Sequence, residues 1–235
     1  MIDLTDVSKT FTLHNQGGAV IEVLSGVTLA VAPGECVALT GASGAGKSTL
    51  MRMIYGNYRA RSGIIRVGGT DLVRAEPREI IRLRREVLGY VSQFLRVVPR
   101  VPTQDVVAEP LRAVGVAEAE AGERAAALLE RLNIPRPLWS LSPTTFSGGE
   151  QQRVAVARAL IHQPTLVLAD EPTGNLDAET GRHVLALLLD LARASEQTLV
   201  MVTHSREVAA SADRVLRMAD GRLQAVAQDA RGGAW

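Results

Sequence analysis

Eight consecutive residues, Gly41-Ala42-Ser43-Gly44-Ala45-Gly46-Lys47-Ser48, have the spacing of a loop that cradles phosphate groups. Glycines let the backbone curl so that N–H groups turn inward around phosphate oxygens, where a Cβ would obstruct the turn. Glu35 to Leu39 reads as a buried strand entering this loop, and Lys47 to Tyr55 as a helix whose positive end adds to the pull on an anion. Lys47 supplies a point charge for the β- and γ-phosphates, Ser48 offers a hydroxyl to Mg2+, and Thr49 lines the site more weakly. Lys9 and Lys47 are the only lysines of the chain, so the place of each is informative.

A second set of groups falls at strand ends. Leu166-Val167-Leu168-Ala169 is an apolar strand closed by Asp170 and Glu171, which can be buried only if both acids emerge at its C-terminal edge, the ligand crevice of an open α/β sheet. Asp170 is placed to hold Mg2+ through water. Glu171, one residue on, points differently, toward an attacking water. His204 ends the apolar strand Leu199 to Thr203, expected beside the Asp170 strand, which favours a contact with the γ-phosphate over a purely structural histidine. Gln93 follows Tyr90-Val91-Ser92; an amide there can ligate Mg2+ or position water, and can equally be a surface glutamine. Ser147-Gly148-Gly149-Glu150 opens a helix through Val154, Val156, Ala159 and Leu160, a second anion site like the first. A serine cap alone leaves the paired glycines unexplained, since they weaken a first turn unless the backbone must approach something closely.

These groups have to be positioned by a chain of 235 residues, 46% hydrophobic and 22% charged, ample for one large domain with a buried core. A net charge of +1 argues against a nucleic-acid partner. Cys36, the single cysteine, lies in an apolar run and reads as a buried, inert thiol. No segment reaches the roughly 18–20 apolar residues of a membrane span and the N-terminus is no secretory signal, so a cytoplasmic protein is expected, with any membrane contact made through a partner.

Along the chain, Ile2 to Val7, Val20 to Leu24 and Val27 to Val31 read as short strands broken by glycines. Residues 63 to 73 read as a strand and turn, and Glu86 to Val91 as a strand. Thr103 to Leu132 lacks strand signals and reads as two or more helices, with Leu128, Leu129 and Leu132 on one apolar face. Strand and helix then alternate: Thr165 to Ala169, Thr180 to Arg193, Thr198 to Val202, Ser205 to Ala210, and a final strand near Val215 to Met218. That alternation predicts a parallel-rich sheet flanked by helices.

Phosphate loop, glutamine, Ser147-Gly148-Gly149-Glu150 signature, Asp170-Glu171, Asn175-Leu176-Asp177 and His204 follow one another as in the ATP-binding cassette (ABC) ATPases, which the chain resembles from about residue 2 to 225. The resemblance implies an α/β fold of P-loop NTPase type: a parallel-rich sheet with an N-terminal antiparallel β subdomain and an inserted helical subdomain. Residues 1–227 would form the ATPase domain, 1–92 and 163–227 its core, about 93–162 the helical subdomain, and 228–235 a C-terminal tail. It further implies ATP and Mg2+ as cofactors and a second cassette, in a homodimer, as partner. The signature of one subunit, Ser147, Gly148 and Gly149, would cap the γ-phosphate of ATP held on the other subunit's phosphate loop, and Asp177 would couple the two sites. Phe11 falls where the family places an adenine-stacking aromatic; a buried strand phenylalanine is the alternative.

Two branches of the family share these positions. Gly89 to Arg100 and the stretch from Arg131 to Glu150 look like the PhnL-type cassette of the bacterial carbon–phosphorus lyase system, as does Ser8 to Gly18. That likeness implies lyase subunits as partners and a role in converting alkylphosphonates to ribose 1-methylphosphonate 5-triphosphate. Ala155 to Leu160, Asp170 to Asp177 and Val202 to Ser205 look more like lipoprotein-releasing or macrolide-export cassettes, which implies a membrane permease as partner. The lyase reading is placed first because its matches lie in the partner-facing region after Gln93. An ATP-binding regulatory module with incidental turnover is the alternative of another class, which measured ATPase activity separates from both.

Overall fold

The computed structural model describes residues 1–13 and 17–226, so the expected tail 228–235 and part of the Ser8 to Gly18 stretch lie outside it. The chain opens with two long antiparallel strands, β1 (Ile2–Leu13) and β2 (Ala19–Val31). They do not break into short pieces at Gly26 as their glycines suggest: register shifts after Leu4 and Val7 absorb the irregularity while pairing continues. β3 (Cys36–Thr40) leads into the phosphate loop and α1 (Lys47–Ile54) leaves it. β4 (Ser62–Val67) and β5 (Thr70–Asp71) complete a four-stranded antiparallel sheet in the order β2-β1-β4-β5.

Next comes α2 (Pro77–Glu86), a helix that apolar periodicity does not announce, because Leu83 is its one buried residue. Its signal is polar: Pro77 in the first turn and a reciprocal capping box between Glu76 and Glu79. Glu86 therefore ends a helix, and the strand expected from residue 86 is β6 (Leu88–Ser92). Between β6 and the next strand the chain is helical, with α3 (Thr103–Ala113), α4 (Glu118–Arg131) and α5 (Gly148–Leu160). Leu129 and Leu132 are fully buried there and Leu128 packs partly buried beside them. β7 (Leu166–Asp170), α6 (Ala178–Ala194), β8 (Thr198–Val202), α7 (Arg206–Ala210) and β9 (Arg214–Ala219) alternate as expected. β9 is not the last strand: Asp220 and Gly221, both at positive φ, turn the chain into β10 (Arg222–Ala225), the Asp-Gly hairpin signal.

The second sheet runs β10-β9-β3-β8-β7-β6, parallel except for the β10 edge. Its central strands are apolar on both faces because both are covered. Val37, Leu39, Leu166, Leu168, Val200 and Val202 enter the core shared with the antiparallel sheet and α1. Their neighbours Ala38, Val167, Ala169, Leu199 and Met201 point the other way, into the core shared with α3 to α6. Cys36 is buried in that second core, and desolvation together with the nearby Asp213 pushes its thiol up to about 11, an inert group as expected. No helix among the described residues is long and apolar enough to cross a membrane.

Candidate functional site

Strands β3, β7 and β8 are adjacent and parallel, so their C-terminal ends bring residues far apart in sequence to one edge. The phosphate loop leaves β3 there. Its glycines serve different ends. A Cβ on Gly41, at φ 139°, would stand 2.2 Å from the Met218 carbonyl oxygen, and one on Gly46, at φ 105°, 2.8 Å from Leu24 Cδ2. Gly44, at φ 79°, is exposed and a Cβ there would face nothing within 4 Å, so its backbone conformation alone favours glycine. Gly41→Ala is therefore expected to lose roughly 3 kcal/mol through overpacking and backbone strain, and Gly44→Ala only about 1 kcal/mol. Thermal melts of the two variants against the parent check this, and equal midpoints would refute the division.

Lys47 is 5% exposed, and its ammonium donates to the carbonyls of Gly41 and Ala42, both at 2.8 Å. Burial holds its pKa below the usual value, opposed by the negative charges of Glu171 and Asp170. A buried cation resting on the carbonyls of a glycine loop suits phosphate oxygens. Ser48 Oγ donates to Asp170 Oδ1 at 3.0 Å, a hydroxyl and a carboxylate of the hard-oxygen kind that Mg2+ takes. The Tyr90 hydroxyl donates to the other carboxylate oxygen, Oδ2, at 3.2 Å, and burial beside Asp170 pushes its pKa far above the usual phenol value. Thr49 stands half-buried in the first turn of α1.

Glu171 sits just past β7 at φ 51°, a left-handed conformation uncommon for a non-glycine residue. Its Oε1 lies 2.9 Å from Nε2 of His204, two residues past the end of β8, so the two expected catalytic residues are already paired. Gln93, next after β6, reaches the same spot: its Nε2 and Glu171 Oε2 each lie 3.2 Å from where a Cβ on Gly174 would stand. A cavity of about 920 Å³ opens at Ser48, Asp170 and Glu171 and runs past Gln93 to Arg84 and Arg158.

Ser147, Gly148, Gly149 and Glu150 form a different cluster, outside that cavity's lining. Exposed Ser147 caps α5: its Oγ donates to Glu150 Oε2 at 2.7 Å and accepts from the Glu150 amide at 3.4 Å. The hydroxyl's bond to Oε2, joined by a second from the Ser147 amide at 2.9 Å, lowers the Glu150 pKa. The two glycines differ in their surroundings inside the chain. A Cβ on Gly149 would meet Thr180 Cγ2 at 2.5 Å, and one on Gly148 would meet Leu176 Cδ2 at 3.3 Å. Packing against Thr180 of α6 thus accounts for Gly149, while Gly148 and Ser147 stay exposed at the helix start, the part of the signature open to an anion. Asp177 caps α6 close by, accepting from the amides of Glu179 and Thr180, which lowers its pKa.

Phe11 is half-buried on β1, not sealed in the core. Its ring meets Tyr58 edge-on at 5.3 Å and carries Lys9 Nζ at 5.0 Å, so the second lysine serves this aromatic cluster. Phe11 pairs with Ile21 of β2, and Leu24 of the same strand abuts Gly46 of the loop. Sequence reasoning missed Tyr90. The one available signal was a polar aromatic in a short, otherwise apolar strand beside the acidic one.

A family model described as ABC transporter matches residues 24–174. The lipoprotein-releasing system ATP-binding protein LolD of Legionella pneumophila (strain Paris) is 41% identical over 217 residues, covering 92% of this chain and 95% of that protein. The macrolide export ATP-binding/permease protein MacB of Bordetella avium is 42% identical over 223 residues, 95% of this chain but 33% of that longer protein. Among solved structures, the dimeric post-hydrolysis state of the ATP-binding cassette MJ0796 bound to ADP and Pi is similar with a TM-score of 0.88. It is 31% identical, over 96% of this chain and 98% of that one.

Proposed function

The chain belongs to the ABC transporter family as an ATPase cassette, and from that premise we propose that it drives an export system of the lipoprotein-releasing or macrolide-export kind, as one of two cassettes on a membrane permease. The observation that carries the chemistry is the meeting of Lys47, Ser48, Asp170, Glu171 and His204 at the ends of three neighbouring parallel strands. Lys47 exchanges its two loop carbonyls for β- and γ-phosphate oxygens, and the amides of Gly41 to Ser48 close around them. Ser48 and Asp170, joined by Gln93, would hold Mg2+, which would supply charge stabilisation to the phosphoryl group. Glu171 orients the attacking water and takes its proton on a carboxylate oxygen, while His204 Nε2, hydrogen-bonded to Glu171 now, turns to the γ-phosphate. Phe11 offers its free ring surface to adenine. Ser147 and the start of α5 from a second copy cap the phosphates, with Asp177 beside them at the same interface.

The export reading, placed second on sequence resemblance, is the better supported. The lyase likeness rests on short stretches, Ser8 to Gly18, Gly89 to Arg100 and Arg131 to Glu150, whereas the exporter relatives match across 92% and 95% of the chain. Mild purification from native membranes is expected to bring down a polytopic permease and to show ATPase activity that rises when the two are reconstituted together. Recovery with soluble carbon–phosphorus lyase subunits and no permease would overturn the export assignment and restore the lyase one.

A further inference from the structure

The Asp170 carboxylate is held at both ends: Ser48 Oγ donates to Oδ1 and Tyr90 Oη to Oδ2. The serine belongs to the magnesium site described above, and the tyrosine has had no part in it. Tyr90 stands on the edge strand β6, opposite Leu168 of β7, and its ring runs forward along the sheet to reach Asp170. That ring is clamped from behind. Tyr55 packs on it at 4.8 Å between centroids, and the Arg84 guanidinium lies 4.6 Å over Tyr55 while Arg84 Nε donates to the Tyr55 carbonyl at 3.0 Å. A tyrosine has only two side-chain torsions, so packing of this kind leaves the hydroxyl little freedom.

We propose that Tyr90 is a positioning residue for magnesium: by anchoring Oδ2 it turns Oδ1 of Asp170, together with Ser48 Oγ, toward the metal, and so sets the affinity for Mg2+ and not the affinity for the nucleotide. The proposal rests on Asp170 being the magnesium carboxylate. Rotation about the last torsion of an aspartate is broad and roughly two-fold, so a carboxylate with one anchored oxygen swings. A serine hydroxyl has one proton and two lone pairs, so Ser48 keeps its bond to Asp170 while offering oxygen to the metal. Tyr90 spends its proton on Oδ2 and acts by aiming a ligand. Mg2+ demands near-ideal octahedral geometry whereas Ca2+ tolerates irregular coordination, so loss of the anchor penalises Mg2+ selectively.

The test is nucleotide binding in a Glu171→Gln background, followed with a fluorescent ATP analogue while Mg2+ or Ca2+ is titrated. Tyr90→Phe keeps the ring contacts with Tyr55 and removes only the hydroxyl. It is expected to raise the Mg2+ half-saturation about tenfold, the low end of what the loss of one hydrogen bond to a charged group brings. The Ca2+ half-saturation and the affinity for the analogue in EDTA should stay within about twofold of the parent, given the looser coordination of the larger ion. Unchanged Mg2+ dependence overturns the proposal, and so does an equal weakening of Mg2+, Ca2+ and metal-free binding, the mark of general damage. Asp170→Asn run alongside separates the two levels: if it raises the Mg2+ half-saturation and Tyr90→Phe does not, the tyrosine proposal falls alone. If Asp170→Asn changes nothing, the magnesium assignment falls first.

Discussion

Lys47→Ala is expected to weaken MgATP binding by at least about a hundredfold, roughly 3 kcal/mol, with hydrolysis lost at ordinary nucleotide concentrations. The size follows from the setting of the ammonium group. At 5% exposure it has already been desolvated, with the Gly41 and Ala42 carbonyls as hydrogen-bond partners and the charges of Glu171 and Asp170 nearby, so exchanging the carbonyls for phosphate oxygens adds charge pairing with little further dehydration. Without ligand the same desolvation works against the lysine, as the lowering of its pKa indicates, so removing it should leave the melting temperature of the free protein nearly unchanged. Equilibrium titration with a fluorescent ATP analogue, beside a thermal melt, separates lost binding from lost folding. A variant that binds MgATP within about threefold of the parent, well short of the loss expected of a charge-assisted contact, would remove Lys47 from the phosphate site.

Glu171→Gln should do the reverse: bind MgATP as the parent does, yet hydrolyse it at least about tenfold more slowly, the loss of a positioned proton acceptor. The amide has the shape of the carboxylate, and its carbonyl oxygen can still accept from His204 Nε2, now 2.9 Å away, so the pairing at the strand ends survives. What disappears is the negative charge and the capacity to take a proton from water. Glu171 also occupies the left-handed region at φ 51°, a conformation a non-glycine residue holds only where its surroundings impose it, and glutamine inherits that placement. Phosphate release at saturating MgATP, together with the binding titration, makes the comparison. Parent-level turnover in the glutamine variant would strip Glu171 of its role and leave His204 or Gln93 to position the water.

The chemistry of this protein was legible wherever it is written in neighbouring residues. The curl of Gly41 to Ser48 into α1, the serine cap of α5 at Ser147, and the emergence of Asp170 and Glu171 from an apolar strand follow from backbone conformation, capping and two-residue strand periodicity, all local to a few positions. Where the local signal is polar, as in the Glu76–Glu79 box of α2, or lies in a turn, as at Asp220-Gly221, apolar spacing does not carry it. Other features depend on which strand lies beside which and in what register, and no stretch of adjacent residues encodes that. Tertiary structure alone decided that Tyr90 meets Asp170, 80 positions away, that His204 pairs with Glu171, 33 away, and that Gly149 packs against Thr180. Side chains find such partners only after the sheet order β3-β8-β7-β6 has closed, because the free energy that selects that order comes from burying two apolar cores at once and from no single contact at the site.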